Sequence, residues 1–302
     1  MLGALFHRLT TPAPRDLRRL GYVGRSVALW SRSRRCRKAW SGHLARSRAF
    51  IADAMAGATH RREAVVRGSG LLDDVPLERL AASFERVVLI DAVHPWPARL
   101  AARRFANVAL VSADLTSFAD RLLGRSGSLP EPPVARLCAD AGFVVSANLL
   151  SQLPLVPLSR LGAREDGDAL ALRIVAAHLD ALAALSACVC LIADVEQIEE
   201  DREGRELDRS DLLFGAAMPE PEARWTWELA PFGEVSRKYR LLHRVNAYAD
   251  WTQRADAVSR GIDPRTLRAS PRIAPTSWPG SPGHPLARSI RPRRGRRSRG
   301  GG

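Results

Sequence analysis

The sequence predicts an α/β chain: a doubly wound, mostly parallel seven-stranded sheet preceded by an N-terminal helical extension. Three observations predict it. Five short apolar runs, at 64–66, 87–90, 108–111, 143–146 and 188–193, read as strands buried on both faces, as parallel sheets require. Stretches of helical periodicity separate them. The first run breaks at Gly68 and Gly70, one residue apart, where the backbone can turn sharply and a ligand can come close.

From the N-terminus, residues 1–60 read as a basic helical extension. Trp40, Leu44, Ile51 and Met55 fall near one face, with Arg37, Lys38, Arg46 and Arg48 largely elsewhere. Two uses fit such a segment: a helix packed on the sheet with a solvated arginine face, or a basic amphipathic helix for nucleic acid or an anionic membrane. The first is favoured, because strongly positive faces without a known binding module are common. A transit peptide would also be arginine-rich and acid-poor, but Trp30 and Trp40 suit a retained segment better.

Positive charge sits at the ends. Residues 1–62 hold 14 Lys/Arg against 2 Asp/Glu, residues 264–302 hold 10 against none, and the body between them is acidic. Only Lys38 and Lys238 are lysine. No run of uncharged apolar residues is long enough for a transmembrane helix, and the apolar start lacks the charged lead and cleavage site of a secretory signal. Cys36, Cys138, Cys188 and Cys190 form no C-x-x-C, so no metal site is expected, and a reduced, cytoplasmic chain is.

The body, 61–255, begins with the first strand and its glycine turn. Asp73 or Asp74 can cap the next helix, Pro76 suits its first turn, and Leu77, Leu80, Ala81 and Phe84 recur at helical spacing. Strand, glycine turn and helix start together aim free N–H groups at a bound carboxylate or phosphate. The second strand ends in Asp91, 21 positions beyond Gly70, near the spacing at which nucleotide folds place an acid on a ribose. The third is followed by Asp114. No Gly-Lys-Ser/Thr exists, which excludes a P-loop. Asp73, standing where a dinucleotide fingerprint keeps its third glycine, would repel a pyrophosphate.

A loop at 123–133 leads to a helical stretch at 134–140 and the fourth strand, at whose exit stand Asn148 and Gln152. Turn chemistry explains Gln152, and either turn chemistry or ligand contact explains Asn148. Residues 169–185 form a helix with Leu170, Ile174, Ala177, Leu179 and Leu182 on its apolar face, and His178 within it reads as a core or surface residue. Asp194 and Glu196 follow the fifth strand, where an acid can serve as general base. Residues 199–205 read as an exposed charged turn, a hairpin tip around Gly204. Two period-two runs close the sheet as an antiparallel pair: Trp225, Trp227 and Leu229 on one face, then Tyr239, Leu241, His243 and Val245. The tryptophans read as a core stripe before an aromatic substrate wall. From 256 to 302 the chain is a disordered basic tail, rich in Pro, Ser, Gly and Arg.

Over about 63–250 the sequence resembles the class I S-adenosylmethionine-dependent methyltransferases, whose fold is Rossmann-like. Gly68-Ser69-Gly70 is similar to their glycine loop, and Asp91 to the acid that binds the ribose. Asp114, in Ser112-Ala113-Asp114-Leu115, is similar to the residue beside the adenine amino group. Phe143 to Pro154 is similar to their fourth strand and the Asn-containing turn after it. The resemblance implies S-adenosylmethionine as cofactor, held by Gly68, Ser69, Gly70, Asp91, Ala92, Asp114, Leu115 and Asn148. It also implies N-terminal helices over the cofactor, a reversed last strand, and a small-molecule acceptor. Val66 and Leu72 replace an acid and a third glycine of the family loop. Two alternatives therefore stand beside an enzyme: a non-catalytic ligand- or partner-binding protein of this fold, and an RNA-associated protein using its basic ends. No catalytic residue is singled out, and oligomeric state is not legible.

Overall fold

The structure is a computed structural model that describes residues 2–125, 133–161 and 167–259. The expected tail from residue 260 on and residues 126–132 of the expected loop lie outside the described residues, while residues 256–259, expected in the tail, end a helix that begins at Trp251. Helices α1 (Leu2–Thr10), α2 (Arg15–Arg19), α3 (Tyr22–Arg35) and α4 (Arg37–Ala54) precede the sheet. Strands β1 (Glu63–Arg67), β2 (Arg86–Asp91), β3 (Val108–Ser112) and β4 (Phe143–Ala147) alternate with α5 (Leu77–Ser83), α6 (Trp96–Ala102), and the short α7 (Ala119–Leu122) and α8 (Val134–Leu137). Helices α9 (Leu155–Leu161) and α10 (Gly167–Ala183) lead to β5 (Cys188–Asp201), β6 (Glu206–Asp211), β7 (Ala223–Ala230) and β8 (Tyr239–Tyr248), and α11 (Trp251–Ser259) follows.

The strands run β3-β2-β1-β4-β5-β8-β7, parallel from β3 through β5, with β8 antiparallel to β5 and β7 antiparallel to β8. The sheet has eight strands rather than the expected seven, because β6 also pairs with β5, antiparallel. Residues 199–201 belong to β5, and the hairpin turns at Gly204, whose φ is +80°. The far half of β5 is acidic because one of its faces is wet. Glu196 meets Arg209 and Arg244 there, and Glu200 meets Arg240, so cross-strand ion pairs stand where a core strand would carry apolar residues.

Apolar side chains alternate to two cores, one on each face of the sheet. Val66, Leu89, Val145 and Cys190 point to the face covered by α4, α5 and α6. Val65, Ile90, Val144 and Leu191 point to the face covered by α10 and α11. All four cysteines are free and buried. In α10 the buried face is carried by Ala171, Ile174, Val175, His178, Leu179 and Leu182, while Leu170 and Ala177 sit at its margin. Trp225, Trp227 and Leu229 do form a core stripe, closed by α4: Trp40 Nε1 donates to the Leu229 carbonyl at 2.7 Å. The basic extension is therefore packed on the sheet, and a smaller cluster of Leu17, Val23, Val27, Ala92 and Val93 ties α2 and α3 to the exit of β2. Among the described residues no helix is long and apolar enough to cross a membrane.

Candidate functional site

Strand order reverses between β1 and β4, where the chain leaves β1 first toward β2 and later returns to the other side. In open α/β sheets ligands bind at such a point, outside the carboxyl ends of the strands. A cleft of about 1450 Å³ opens there, roofed by α3 and α4. Gly68, Ser69, Gly70, Asp91, Ala92, Asp114, Leu115 and Asn148 all line it. Arg67 and Leu72, the side chains best placed to plug the turn, do not: Arg67 is fully buried and Leu72 packs in the first core.

The turn is held by strain and by hydrogen bonds. Gly68 and Gly70 have φ of +70° and +49°, and the Gly68 and Ser69 amides both donate to the Ile90 carbonyl. A Cβ on Gly68 would lie 2.9 Å from Leu149 Cδ1, so only glycine lets this turn approach the exit of β4. Leu72, at the third-glycine position, keeps a glycine-like φ of +64°. Asp73 and Asp74 do not cap the next helix as expected. Helix α5 starts only at Leu77, behind Pro76, without a side-chain cap. Its first residue thus comes seven positions after Gly70, and the two acids face other partners: Asp73 accepts from Ser33 at 2.6 Å, and Asp74 contacts Asn148.

Asp91 closes the turn. Its Oδ2 accepts the Gly70 amide at 2.7 Å and its Oδ1 the Val93 amide at 3.3 Å. Burial raises the pKa of this carboxyl, while His94 and the backbone amides pull it back. Each oxygen keeps a lone pair for a further donor. Asp114 is more heavily engaged, accepting from Thr116 N and Oγ1, from Ala119 N at the start of α7, and from the Tyr22 hydroxyl at 3.1 Å. Asn148 has φ +51°, a conformation asparagine tolerates, and Gln152 donates back to its carbonyl, which is the turn chemistry expected of Gln152.

The other end of the cleft joins Asp194, marked in the sequence as a candidate acid, to His43, which no local pattern marked. His43 of α4 stacks on Trp227, with centroids 4.0 Å apart at 9°, and accepts Trp225 Nε1–H on Nδ1 at 3.1 Å. Burial pushes its pKa down to about 3. Asp194 accepts both from Ser151 Oγ, at 2.8 and 2.9 Å, and from His243 Nδ1, at 2.9 Å. Asp194 thus fixes the orientation of the His243 ring, whose Nε2 faces Gln197 Oε1 at 3.4 Å. Ser151, Asp194 and His243 all line the cleft. Glu196 does not: it is spent on Arg209 and Arg244. His178 is a core residue in contact with Ser146 Oγ at 3.4 Å. Sequence pattern gave no signal for Tyr22, His43 or His94, which reach the site only through tertiary packing. Among the described residues no cluster of His, Cys, Asp and Glu could hold a metal ion.

No family model matches the chain, and no curated protein matches it. Solved structures similar to it include the N-methyltransferase NodS of Bradyrhizobium japonicum WM9 in complex with S-adenosyl-L-homocysteine. That match has 12% identity and TM-score 0.32, over 67% of this chain and 85% of that one. A second is the 1,6-didemethyltoxoflavin-N1-methyltransferase of Burkholderia thailandensis, at 15% identity and TM-score 0.35, over 74% and 88%. A third is a DhpI–SAM–HEP complex, at 15% identity and TM-score 0.33, over 82% and 91%. Its own strand order, with β8 alone reversed between β5 and β7, and the glycine turn at the end of β1 give the chain a Rossmann-like, mostly parallel α/β fold.

Proposed function

We propose that the cleft binds S-adenosylmethionine and that the chain transfers its methyl group to a small-molecule acceptor. One observation carries this: the Gly68–Gly70 turn, Asp91 and Asp114 line a single cleft at the strand-order reversal, with Asn148 across from them. The donor set suits this cofactor. Asp73, Asp74, Asp91 and Asp114 line the cleft around the glycine turn, while of the arginines on its wall Arg32 and Arg35 pair with Glu234, Arg25 donates to Ser159 and the Leu155 carbonyl, and Arg160 donates to the Arg19 carbonyl. Four carboxyl groups around the turn disfavour phosphate there and favour a cationic, phosphate-free nucleoside.

In this assignment Asp91 takes the ribose hydroxyls, Asp114 and Leu115 flank the adenine, and the glycine turn with Asn148 takes the methionine end. When bound, the cofactor supplies an already activated methyl group. The chain then has mainly to hold an acceptor in line and exclude water, a task that would fall to α3 and α4, whose residues line the cleft. An acceptor that must lose a proton would give it to the hydrogen-bonded Asp194–His243 pair on the cleft wall, with Ser151 holding the carboxylate. Trp40, Leu44 and Trp227 give that end an apolar, aromatic wall suited to a small organic acceptor.

Calorimetric titration with S-adenosylmethionine and S-adenosylhomocysteine tests the assignment. Micromolar binding that disappears in Asp91→Ala is expected, and methyl release with candidate acceptors then separates an enzyme from a non-catalytic cofactor sensor. Absence of binding by the folded wild type overturns the assignment.

A further inference from the structure

Four side chains join the closing strands to the cleft in one line: Trp225, His43, Asn148 and Asp74. Their chemistry fixes where the protons are. An indole nitrogen can only donate, so the 3.1 Å contact from Trp225 Nε1 makes His43 Nδ1 an acceptor. The imidazole is then neutral and its proton sits on Nε2, which must donate in turn. The atom 3.1 Å from His43 Nε2 is a terminal atom of the Asn148 amide, placed as Nδ2. Two donors cannot share that contact. Amide oxygen and nitrogen are told apart only by their hydrogen bonds, so we assign the atom facing His43 as Oδ1, which puts Nδ2 in the buried position that has no hydrogen-bond partner among the described residues. That same atom lies 2.8 Å from Asp74 Oδ2. Two oxygens this close need a proton between them, and only the carboxyl group can supply it.

The surroundings agree. Groups facing Asp74 from every side are Asn148 beyond β4, His43 behind it on α4, Arg48 of α4, and Asp73 beside it in the chain. Arg48, the one cation among them, donates to the Asp73 carbonyl instead of pairing with Asp74. Burial raises the Asp74 pKa, with Asp73 adding to it, against the opposing pull of its hydrogen bonds and of Arg48. The bond between Asp74 and Asn148 also spans the strand-order reversal, next to the glycine turn, and both residues line the cleft.

Resting on the assignment of the cleft to S-adenosylmethionine, we propose that Asp74 is a neutral carboxylic acid that releases its proton when the cleft takes a cation. Asp74 thereby tells S-adenosylmethionine from S-adenosylhomocysteine. The two differ by one methyl group and one positive charge, since the first is a sulfonium and the second a neutral thioether. A sulfonium near Asp74 favours the carboxylate, so the O–H bond breaks and the proton passes to the buffer. After methyl loss the charge is gone, Asp74 takes a proton back, and the product is held less tightly.

The test is calorimetric titration near pH 6 in two buffers of different ionisation enthalpy, on wild type and Asp74→Asn. With S-adenosylmethionine the wild type releases up to about one proton per molecule bound, and with S-adenosylhomocysteine none. Asp74→Asn, which matches the neutral acid in shape, abolishes the buffer dependence and shifts preference toward S-adenosylhomocysteine by about tenfold or more. Equal proton release for the two ligands, or release that survives Asp74→Asn, overturns the proposal. Binding of neither ligand removes the cofactor assignment, and the proposal with it. Asp74 is then judged separately by infrared difference spectra of the protein alone, where a carboxylic-acid C=O band missing from Asp74→Asn marks the neutral acid and its absence from wild type refutes it.

Discussion

The Gly70 amide donates to Asp91 Oδ2 across 2.7 Å, so the turn after β1 is fastened to the end of β2 by the side chain expected to meet the ribose. Asp91 therefore shapes the turn, besides the ribose contact proposed for it. Asp91→Ala leaves the Gly70 and Val93 amides without their acceptor, which costs about 1–3 kcal/mol each if they stay dry. Urea denaturation is expected to show a drop of that order, accompanied by loss of nucleoside binding. Asp91→Asn, which keeps one acceptor oxygen, should lose less stability than Asp91→Ala.

Gly68 is predicted to tolerate no side chain. At φ +70°, with Leu149 Cδ1 2.9 Å from any Cβ, Gly68→Ala forces both backbone strain and a shift of the β4 exit. A cost of about 1–3 kcal/mol follows. Gly70→Ala meets nothing closer than the Gly68 carbonyl at 3.7 Å, so it carries backbone strain alone and should cost less. Thermal unfolding of the two variants checks the order.

Acid stability should depend on His43. Its folded pKa, about 3, lies well below its unfolded value because the ring is buried. The unfolded chain therefore binds a proton that the folded chain refuses between pH 6.5 and 3. Stability is fully present above pH 6.5 and is lost as pH falls through that window, by about 3 kcal/mol near pH 4. Asp74 and Asp91, whose pKa values are raised by burial, act in the opposite sense. The comparison is thus wild type against His43→Gln, whose stability should fall less steeply from pH 7 to pH 4.

His243→Asn is predicted to lower methyl transfer to any proton-bearing acceptor by about 100-fold or more while leaving cofactor binding unchanged. Asp194→Asn should lower it as well, because Ser151 and His243 both depend on that carboxylate for orientation. Initial rates at saturating cofactor, with binding measured separately, distinguish this from a damaged cofactor site.

Much of this was legible in the chain because parallel strands are locally marked. The runs ending at Arg67, Asp91, Ser112 and Ala147 are short, apolar and followed by turn residues, and the site lies at those exits. Leu72 shows why motif matching fell short. The family position for glycine holds a leucine, yet the backbone keeps its positive φ, a conformation that composition does not reveal. The outer half of β5 was hidden by its charges, since a strand wet on one face looks like a turn until its ladder with β8 is seen. His43 and Tyr22 were beyond reach for a different reason. They lie on helices more than a hundred residues before Asn148, or 92 before Asp114, and only packing brings them to those partners.

The most direct measurement is a crystal structure of the protein grown with S-adenosylhomocysteine. The ribose hydroxyls are predicted within hydrogen-bonding distance of Asp91, the adenine between Leu115 and Asp114, and the thioether sulfur on the Asn148 side of the glycine turn. A nucleoside bound away from the β1–β4 crevice, or an Asp91 that keeps only its backbone partners beside bound ligand, would contradict the account.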